Sequence, residues 1–369
     1  MLFIAFKNLF QEKTRLLISV GGVAFAILLM LVLLGIREGL VKAFIAYPEK
    51  NPAQIIVSKE GIVDMFHGVS IVSDQDSEII KNTEGVDEVV GMITMPAIYE
   101  QDGKKQDMFI VSYEPESSLG APWNIVEGRI AKGKNEIVLD RGFTKKNKLK
   151  VGDNINLLGV DFGIAGLNEG GSTVSASFGF IRLRDAQEIL KLTGATNWVF
   201  ASLKPGFDPE EVRANIQGQT QGLTISTKEE FIKNTLAELE ESFLPIIYAM
   251  VVIAVIVGIA VIGLTVYTAT IEKSKEYGIL KAIGVKNRQL YLLIFQQAII
   301  SAILGFFVGI ALSFGAAYLL ERNVQFVTIE FSLSIFTIVF VLTILMSLIS
   351  SYIPARKIAQ IDPAEVFKS

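Results

Sequence analysis

Four long runs of apolar residues without a single Asp, Glu, Lys or Arg dominate the pattern of the chain. They cover residues 16–36, 242–271, 289–320 and 331–354, and are therefore 21, 30, 32 and 24 residues long. An α-helix rises about 1.5 Å per residue, so about 20 apolar residues cross the roughly 30 Å hydrocarbon core of a bilayer. The pattern predicts a multi-pass α-helical membrane protein with four transmembrane helices.

The segment 37–241, between the first two runs, alternates strand-like and helix-like patterns. A connection of this length is a folded domain rather than a loop. Strand patterns lie at 54–58, 97–100, 107–112, 136–139, 155–158, 162–165, 178–183 and 197–203, and helical patterns at 75–82, 140–149, 185–192 and 209–217. We expect a large α+β domain of one or two lobes, in which 97–100 and 107–112 form a hairpin.

The last predicted element of this domain is an amphipathic helix that leads directly into the second apolar run. Its apolar residues Ile232, Leu236, Leu239 and Phe243 recur with helical spacing. Pro245 follows, and it has two interpretations. The ordinary one is a kink at the boundary between water and lipid, and the functional one is the hinge of a lever that couples the domain to the membrane.

The charges between the apolar runs predict the orientation. Segments 1–15, 272–288 and 355–369 together carry eleven Lys and Arg against five Asp and Glu, a net charge of +6, whereas the whole chain has −4. Segment 37–241 and the short loop 321–330 therefore share −10. We expect the protein in the cytoplasmic (inner) membrane. By the positive-inside rule, both termini then lie in the cytoplasm and the large domain is extracytoplasmic. Its acidic surface argues against a nucleic acid as partner.

Segment 1–15 adds one further element. Leu2, Phe3, Phe6 and Phe10 share one helical face opposite Lys7. This pattern predicts an amphipathic helix that lies in the cytoplasmic membrane interface.

Composition excludes several kinds of chemistry. The chain has no Cys and one His, His67, which leaves no disulfide, no thiol nucleophile, no Cys or multi-His zinc site and no His-centred triad. Because the apolar runs also lack His and every charged residue, they lack the usual residues of a proton relay. We therefore expect no catalytic residue, cofactor or metal on this chain, and an energy source elsewhere.

Residues Gly128 to Asn135 match a phosphate-binding loop except at the last position, where Ser or Thr should bind magnesium. A strand-like run follows in place of the required helix. We interpret the segment as a turn before a strand, without a nucleotide.

Small and polar residues mark the third apolar run. Gly305 and Gly309 form a G-x-x-x-G pattern, which serves either a homodimer or packing within one subunit. Gln296 and Gln297 are expected to hydrogen-bond between helices, with substrate contact as the alternative.

Residues Glu276 to Gly284, Glu-Tyr-Gly-Ile-Leu-Lys-Ala-Ile-Gly, resemble the coupling-helix signature of the FtsX/MacB/LolC type of ABC transporter permease. Residues 352–365 resemble the closing pattern of that family, and residues 127–139 and 150–153 resemble its MacB-type periplasmic core domain. The chain resembles in particular the four-span exporter permeases of the DevC type.

The resemblance implies the permease subunit of a mechanotransmission ABC exporter for a lipid-like, peptide or drug-like substrate. Only 15 residues flank the apolar runs at either end, so ATP and Mg²⁺ are expected on a separate cytosolic ATPase. The segment 272–288 would be the coupling helix. Its expected contact residues are Glu272, Glu276, Gly278, Leu280, Lys281, Ala282 and Gly284, of which Glu276 and Lys281 match the family signature as charged positions.

Further partners implied by the resemblance are a second permease copy, membrane lipids and, left open by the sequence, a periplasmic adaptor and an outer-membrane channel. The alternative function is a non-transport complex that controls an extracytoplasmic hydrolase or sensor. A weaker third hypothesis, an anchored adhesion module, leaves the 276–284 signature unexplained.

Overall fold

The computed structural model describes residues 13–65, 70–101, 103–170, 177–323 and 328–359. The chain divides into a membrane unit, Met1–Gly39 with Phe243–Ser369, and an inserted domain, Leu40–Ser242. The predicted interfacial helix lies almost entirely outside the described residues, and His67 and residues 360–365 of the closing pattern lie outside them as well.

The helices of the described residues are numbered in chain order. They are α1 (Lys13–Lys50), α2 (Asp74–Lys81), α3 (Arg141–Asn147), α4 (Leu183–Leu190), α5 (Pro209–Gln219), α6 (Lys228–Ser242), α7 (Leu244–Glu272), α8 (Ser274–Ala282), α9 (Asn287–Asn323) and α10 (Leu333–Ala359). Four of them, α1, α7, α9 and α10, are long and apolar enough to cross a bilayer, as predicted.

Two membrane helices extend well beyond their apolar runs. The first run ends at residue 36, but α1 continues to Lys50, and the fourth run ends at residue 354, but α10 continues to Ala359. The run marks where apolar side chains end, whereas helical hydrogen bonding can continue into water.

Glycines bring the membrane helices together. A Cβ added to Gly305 would lie 2.5 Å from Val23, and one added to Gly309 would lie 2.7 Å from Ile27. These two contacts advance along α1 and α9 in the same direction, so the helices run parallel. In lipid, helices gain little hydrophobic free energy by touching, and close backbone approach at small residues supplies the van der Waals contact.

Contacts between α1 and α7 run in the opposite order. Ser19 lies by Thr265, with 3.4 Å between their hydroxyl oxygens, and a Cβ on Gly258 would lie 3.2 Å from Ala26. Further along, Arg37 reaches Tyr248. The two helices are therefore antiparallel, as expected for successive crossings.

The strands of the inserted domain, in the described residues, form two sheets and one short pair. They are β1 (Ile55–Lys59), β2 (Val72–Ser73), β3 (Val86–Met92), β4 (Thr94–Gln101), β5 (Lys104–Tyr113), β6 (Ile125–Gly128), β7 (Glu136–Asp140), β8 (Asn154–Leu157), β9 (Val160–Asn168), β10 (Ser177–Arg182), β11 (Ala195–Thr196), β12 (Trp198–Leu203) and β13 (Leu223–Thr227). The smaller sheet has the order β13-β1-β12-β3. The larger has the order β4-β5-β10-β7-β9-β6, with β8 paired to β9, and β2 pairs with β11.

An aromatic core lies between the two sheets. Phe178 and Phe180 of β10, Tyr113 of β5 and Phe200 of β12 are all at most 2% exposed and belong to one cluster. Strand alternation sends neighbouring side chains to the other face of each sheet. There α3 and α4 cover the larger sheet, and α2 and α5 cover the smaller one.

The predicted α+β class is confirmed, and so is the hairpin, in which Thr94 pairs with Val111 and Gln101 with Lys104. One predicted helix is shorter than expected. Asp140 does not belong to α3 but caps it, because its carboxylate accepts hydrogen bonds from the backbone N–H groups of Gly142 and Phe143.

The predicted apolar face of α6 is confirmed in part. Leu239 is buried and Ile232 and Leu236 are half-buried, but Phe243 is 45% exposed, and the structure also buries Phe231 and Thr235. Thr235 can be buried because its hydroxyl donates to the Phe231 carbonyl at 2.9 Å, which satisfies the polar group. The most buried line of α6 therefore runs through Phe231, Thr235 and Leu239.

Candidate coupling site

The helix α8 lies between two membrane helices and ends sharply. The Val285 N–H donates to the Leu280 carbonyl at 3.0 Å, and the Gly284 N–H donates to the Lys281 carbonyl at 3.1 Å. This pair of bonds is a Schellman motif. Gly284 has a φ of 99°, and an added Cβ would meet nothing within 4 Å, so the glycine is required for its backbone conformation rather than for space.

Helical hydrogen bonding continues from α7 into α8. The Lys273 N–H donates to the Ala269 carbonyl at 3.3 Å, and the Tyr277 N–H donates to the Lys273 carbonyl at 3.0 Å. Only Lys273 separates the two helices. The backbone of α8 is therefore joined to that of α7 by helical hydrogen bonds on both sides of Lys273.

One face of α8 packs against the membrane helices. Tyr277 is 2% exposed and shares a cluster with Leu290 and Ile294 of α9 and Ile358 of α10. Its side chain hydrogen-bonds with Gln297 of α9, and burial raises the pKa of Tyr277 to about 12. The neutral hydroxyl is thus a polar link in an otherwise apolar contact.

The opposite face of α8 is exposed. Lys275, Glu276, Ile279, Ala282 and Ile283 lie on it with helical spacing. Ile279 is 49% exposed and Ile283 is 74% exposed. An apolar centre flanked by a lysine and a glutamate has the composition of a protein-docking face.

The structure divides the predicted contact residues between these two faces. Glu272, Glu276, Ala282 and Gly284 are exposed. Gly278 is buried, Leu280 packs against the membrane cluster and Lys281 is half-buried, so these three belong to the side that faces the helices.

Three residues in and next to α8 were not among the predicted contact residues. Ile279 and the C-cap residue Ile283 are exposed, and Tyr277 is buried on the opposite face. Helical periodicity around the 276–284 signature was the signal that could have separated the two faces.

Pro245 occupies the first turn of α7. The N–H group that a proline lacks has no helical partner at this position, so Pro245 is compatible with the start of a helix. The interruption lies at Phe243, between α6 and α7, rather than at a kink inside one continuous helix. A role of Pro245 as a hinge stays a prediction.

The two glycines and the two glutamines of α9 have different surroundings. Gly305 and Gly309 face α1 of the same chain, which is the arrangement expected for packing within one subunit. Gln297 bonds with Tyr277. For Gln296, the buried side-chain oxygen has no hydrogen-bond partner among the described residues.

The segment that resembles a phosphate loop connects β6 to β7 and is filled by its own carboxylate. Glu136 accepts hydrogen bonds from the N–H groups of Lys132 and Gly133 at 3.0 and 2.8 Å, and Arg129 donates to both carboxylate oxygens at 2.7 and 2.6 Å. The Arg129 hydrogen bond is the main cause that lowers the pKa of Glu136 to about 2. The backbone donors that could hold a phosphate are thus occupied.

No metal site is found within the described ranges, since they contain no group of three or more His, Asp or Glu arranged to hold an ion.

Two family models match the chain. The MacB-like periplasmic core domain matches residues 16–219, and the FtsX-like permease C-terminal model matches residues 248–363. The first match covers more than half of the chain, and the second contains the whole of α8.

Two of the curated relatives match over nearly the full length, and a third matches over part of it. An ABC transporter permease of Methanocaldococcus jannaschii is 24% identical, covering 99% of this chain and 96% of its own. HrtB, a permease protein assigned to a hemin transport system in Staphylococcus haemolyticus, is 24% identical over 91% of both chains. An export ATP-binding/permease protein, MacB of Pseudomonas entomophila, is 29% identical over 36% of this chain and 20% of its own.

Among solved structures, the periplasmic region of MacB from Actinobacillus actinomycetemcomitans aligns with a TM-score of 0.39 and 10% identity, over 51% of this chain and 95% of that one.

Proposed function

Because the chain belongs to the family of ABC transporter permeases with a MacB-like periplasmic core domain and an FtsX-like permease region, we propose that it is the membrane subunit of an ABC exporter driven by a separate cytosolic ATPase. ATP and Mg²⁺ are bound by that ATPase, and this chain is not catalytic. The observation that carries the proposal is the division of α8 into one face packed on the membrane helices and one exposed face.

We infer that the exposed face of α8 receives the ATPase. Ile279 and Ile283 supply apolar area, and Glu276 supplies charge at the edge of the same face. Desolvated apolar residues contribute most to such contacts, while charges at the rim select the partner. Glu272 is exposed just before α8, Lys281 lies on the side of α8 that faces the membrane helices, and Gly278 and Gly284 shape the helix that presents the exposed face.

Movement of α8 then reaches α7 through the shared backbone bonds at Lys273, and α9 through Tyr277. The end of α7 distant from α8 follows the inserted domain, which the positive-inside pattern places outside the cytoplasm. Both termini are then cytoplasmic. In this mechanism ATP hydrolysis moves the inserted domain, and the substrate is handled on the outer side of the membrane.

Export is the direction we propose, since the MacB relative is named as an export protein. The cargo class is lipid-like, peptide or drug-like. A second permease copy completes the assembly, with membrane lipids around it, and a periplasmic adaptor and outer-membrane channel are further candidate partners.

The test is affinity purification of the tagged chain from its own cells in mild detergent, comparing wild type with Glu276→Arg. We expect a cytosolic ABC ATPase to accompany the wild-type chain and to fall at least tenfold in the variant, because a reversed charge is set against its docking surface. Recovery of the ATPase by mass spectrometry is the measurement.

Glu240→Arg is the matched control, since it reverses the same charge at an exposed position of α6. Equal recovery with Glu276→Arg and with Glu240→Arg would reject α8 as the docking site. If no ATPase accompanies the wild-type chain, the proposed energy source is absent, and a membrane-anchored binding or sensor protein without energy input becomes the better hypothesis.

A further inference from the structure

The inserted domain is attached to the membrane unit through two helices. The chain passes into the domain from α1 at the boundary between Gly39 and Leu40, and it returns between Ser242 and Phe243, just before α7. We call residues 35–39 of α1, a helix that continues to Lys50, and the first two turns of α7 the domain-side ends of these helices. The relative position of these two ends sets the spacing of the two connections to the domain.

A side-chain hydrogen bond joins the two domain-side ends. The Nε of Arg37 on α1 donates to the hydroxyl of Tyr248 on α7 at 3.0 Å. Arg37 lies two residues before Gly39, and Tyr248 lies in the second turn of α7. Both residues belong to the membrane unit.

This bond differs from the other contacts along the α1–α7 pair. Toward the α8 side, Gly22 and Gly258 allow side chains of the partner helix to approach closely, and the bond between Ser19 and Thr265 is buried. The Arg37 side chain is 30% exposed and Tyr248 is 43% exposed. This bond is therefore less enclosed by protein than the others, whose opening would separate tightly packed surfaces.

Both helix ends have contacts besides this bond. The Glu330 N–H donates to the Gly35 carbonyl at 3.1 Å, so the domain-side end of α1 is also bonded to the segment before α10. Arg37 is further oriented by Glu38, at 3.4 Å. In the first turn of α7, Leu244 and Ile247 are buried. The bond between Arg37 and Tyr248 therefore adds a polar link to ends that also have other contacts.

We propose that the hydrogen bond between Arg37 and Tyr248 is a releasable clasp that holds the domain-side ends of α1 and α7 together, and that its opening frees the first two turns of α7. The clasp concerns the membrane helices alone, so it holds whether or not an ATPase docks on α8. A half-exposed hydrogen bond to a charged group is strong enough to bias two helix positions and weak enough to open reversibly.

Hydrogen exchange of the full chain in lipid nanodiscs tests the clasp, with no ATPase present. Tyr248→Phe keeps the ring and removes the hydroxyl. We expect backbone amides in residues 246–250 to exchange about five- to tenfold faster, the range that corresponds to losing one such bond. Tyr318→Phe is the matched control, since Tyr318 is an exposed tyrosine on α9, and it should leave these amides unchanged.

Arg37→Gln provides the second arm. If the two side chains act through one bond, the double variant Arg37→Gln/Tyr248→Phe exchanges no faster than the more affected single variant. The clasp is rejected if Tyr248→Phe exchanges like wild type, or if the two substitutions act additively. Neither outcome depends on ATPase recovery, so failure of the clasp and failure of the exporter proposal are distinguishable.

Discussion

The inserted domain and the membrane unit differ in the residues that make their close internal contacts. Between the sheets of the inserted domain, large rings fill the core, with Phe180 placed 5.8 Å from Trp123 and 6.2 Å from Phe178 between ring centroids. In the membrane unit, α1 and α9 approach each other closely at Gly305 and Gly309, where an added Cβ would collide with the facing helix.

The difference follows from the solvent of each region. In water, removing a large apolar side chain from solvent is itself favourable, at roughly 25 cal/mol per Å². In lipid this term is absent between helices, and stability depends on how closely the backbones approach. A search for large apolar side chains therefore identifies the core of the inserted domain, but it does not identify the close helix contacts of the membrane unit.

The sharpest test in the inserted domain is to truncate its aromatic core. Phe180→Ala leaves a cavity at a residue with no exposure, and we expect a loss of about 3–5 kcal/mol in the free energy of unfolding. Both tryptophans, Trp123 and Trp198, lie in this domain, so urea unfolding of the full chain followed by tryptophan fluorescence reports it. Phe207→Ala, at a 40% exposed ring, should cost much less, and equal losses would contradict an aromatic core.

The corresponding test in the membrane unit adds volume instead of removing it. The side chain in Gly309→Val would collide with Ile27 and the Ala24 carbonyl, and we expect a loss of about 1–3 kcal/mol. Titration with SDS, followed by helical circular dichroism, measures it. Gly315→Val makes the same change where an added Cβ meets nothing within 4 Å. If both variants were equally stable, close approach of α1 and α9 would not be what stabilises this unit.

A charge in the inserted domain predicts a pH dependence. The pKa of Glu136 is lowered in the folded state to about 2, so its contribution is present above the ordinary carboxyl pKa near 4.5 and is lost as pH falls toward 2. We expect Glu136→Gln to destabilise the domain at pH 7 by about 1–2 kcal/mol and to flatten the stability profile in that range. Urea unfolding at a series of pH values checks both effects.

Glu188→Gln is the control for this substitution, because Glu188 pairs with Lys134 at 2.8 Å but is 62% exposed. Exposed ion pairs contribute little, so this variant should behave nearly as wild type. Glu136 would not be the anchor of its loop if the two variants had the same profile.

The smallest effect is expected at α8, where one polar bond supplements apolar packing. Tyr277→Phe removes the hydroxyl that bonds with Gln297, and we expect about 1 kcal/mol less stability of the membrane unit by SDS titration. Tyr352→Phe, at a 56% exposed ring, should have no effect. A loss of equal size in both variants would indicate that the Tyr277 hydroxyl makes no specific link.

The elements of this fold could be predicted where the surrounding water or lipid leaves a recognisable pattern of apolar residues in the sequence. Membrane crossing requires about 20 apolar residues, which made four spans evident, and strand alternation located most strands between 54 and 203. The full buried face of α6 could not be predicted, because Thr235 is a polar residue that is nevertheless buried. Its hydroxyl donates a hydrogen bond to the backbone carbonyl of Phe231.

The candidate site was predictable as a segment but not as a surface. The 276–284 signature identified α8, yet residues on its two faces were grouped together, and Tyr277, Ile279 and Ile283 were left out. Which face packs is decided by α9 and α10, whose contacts with Tyr277 join residues distant in sequence. Strand order was beyond prediction for the same reason, since non-local pairing leaves no local period.

The central claim is that the exposed face of α8 contacts an ATP-hydrolysing subunit, and in-cell cross-linking tests it most directly. Because the natural chain has no cysteine, Ile279→Cys introduces a single reactive thiol on that face, and Met250→Cys introduces one on an exposed position of α7. We predict that a thiol-to-amine cross-linker joins position 279, but not position 250, to an ABC ATPase identified by mass spectrometry. A chain that forms no ATPase cross-link from position 279, with the thiol shown to be reactive, would contradict the account.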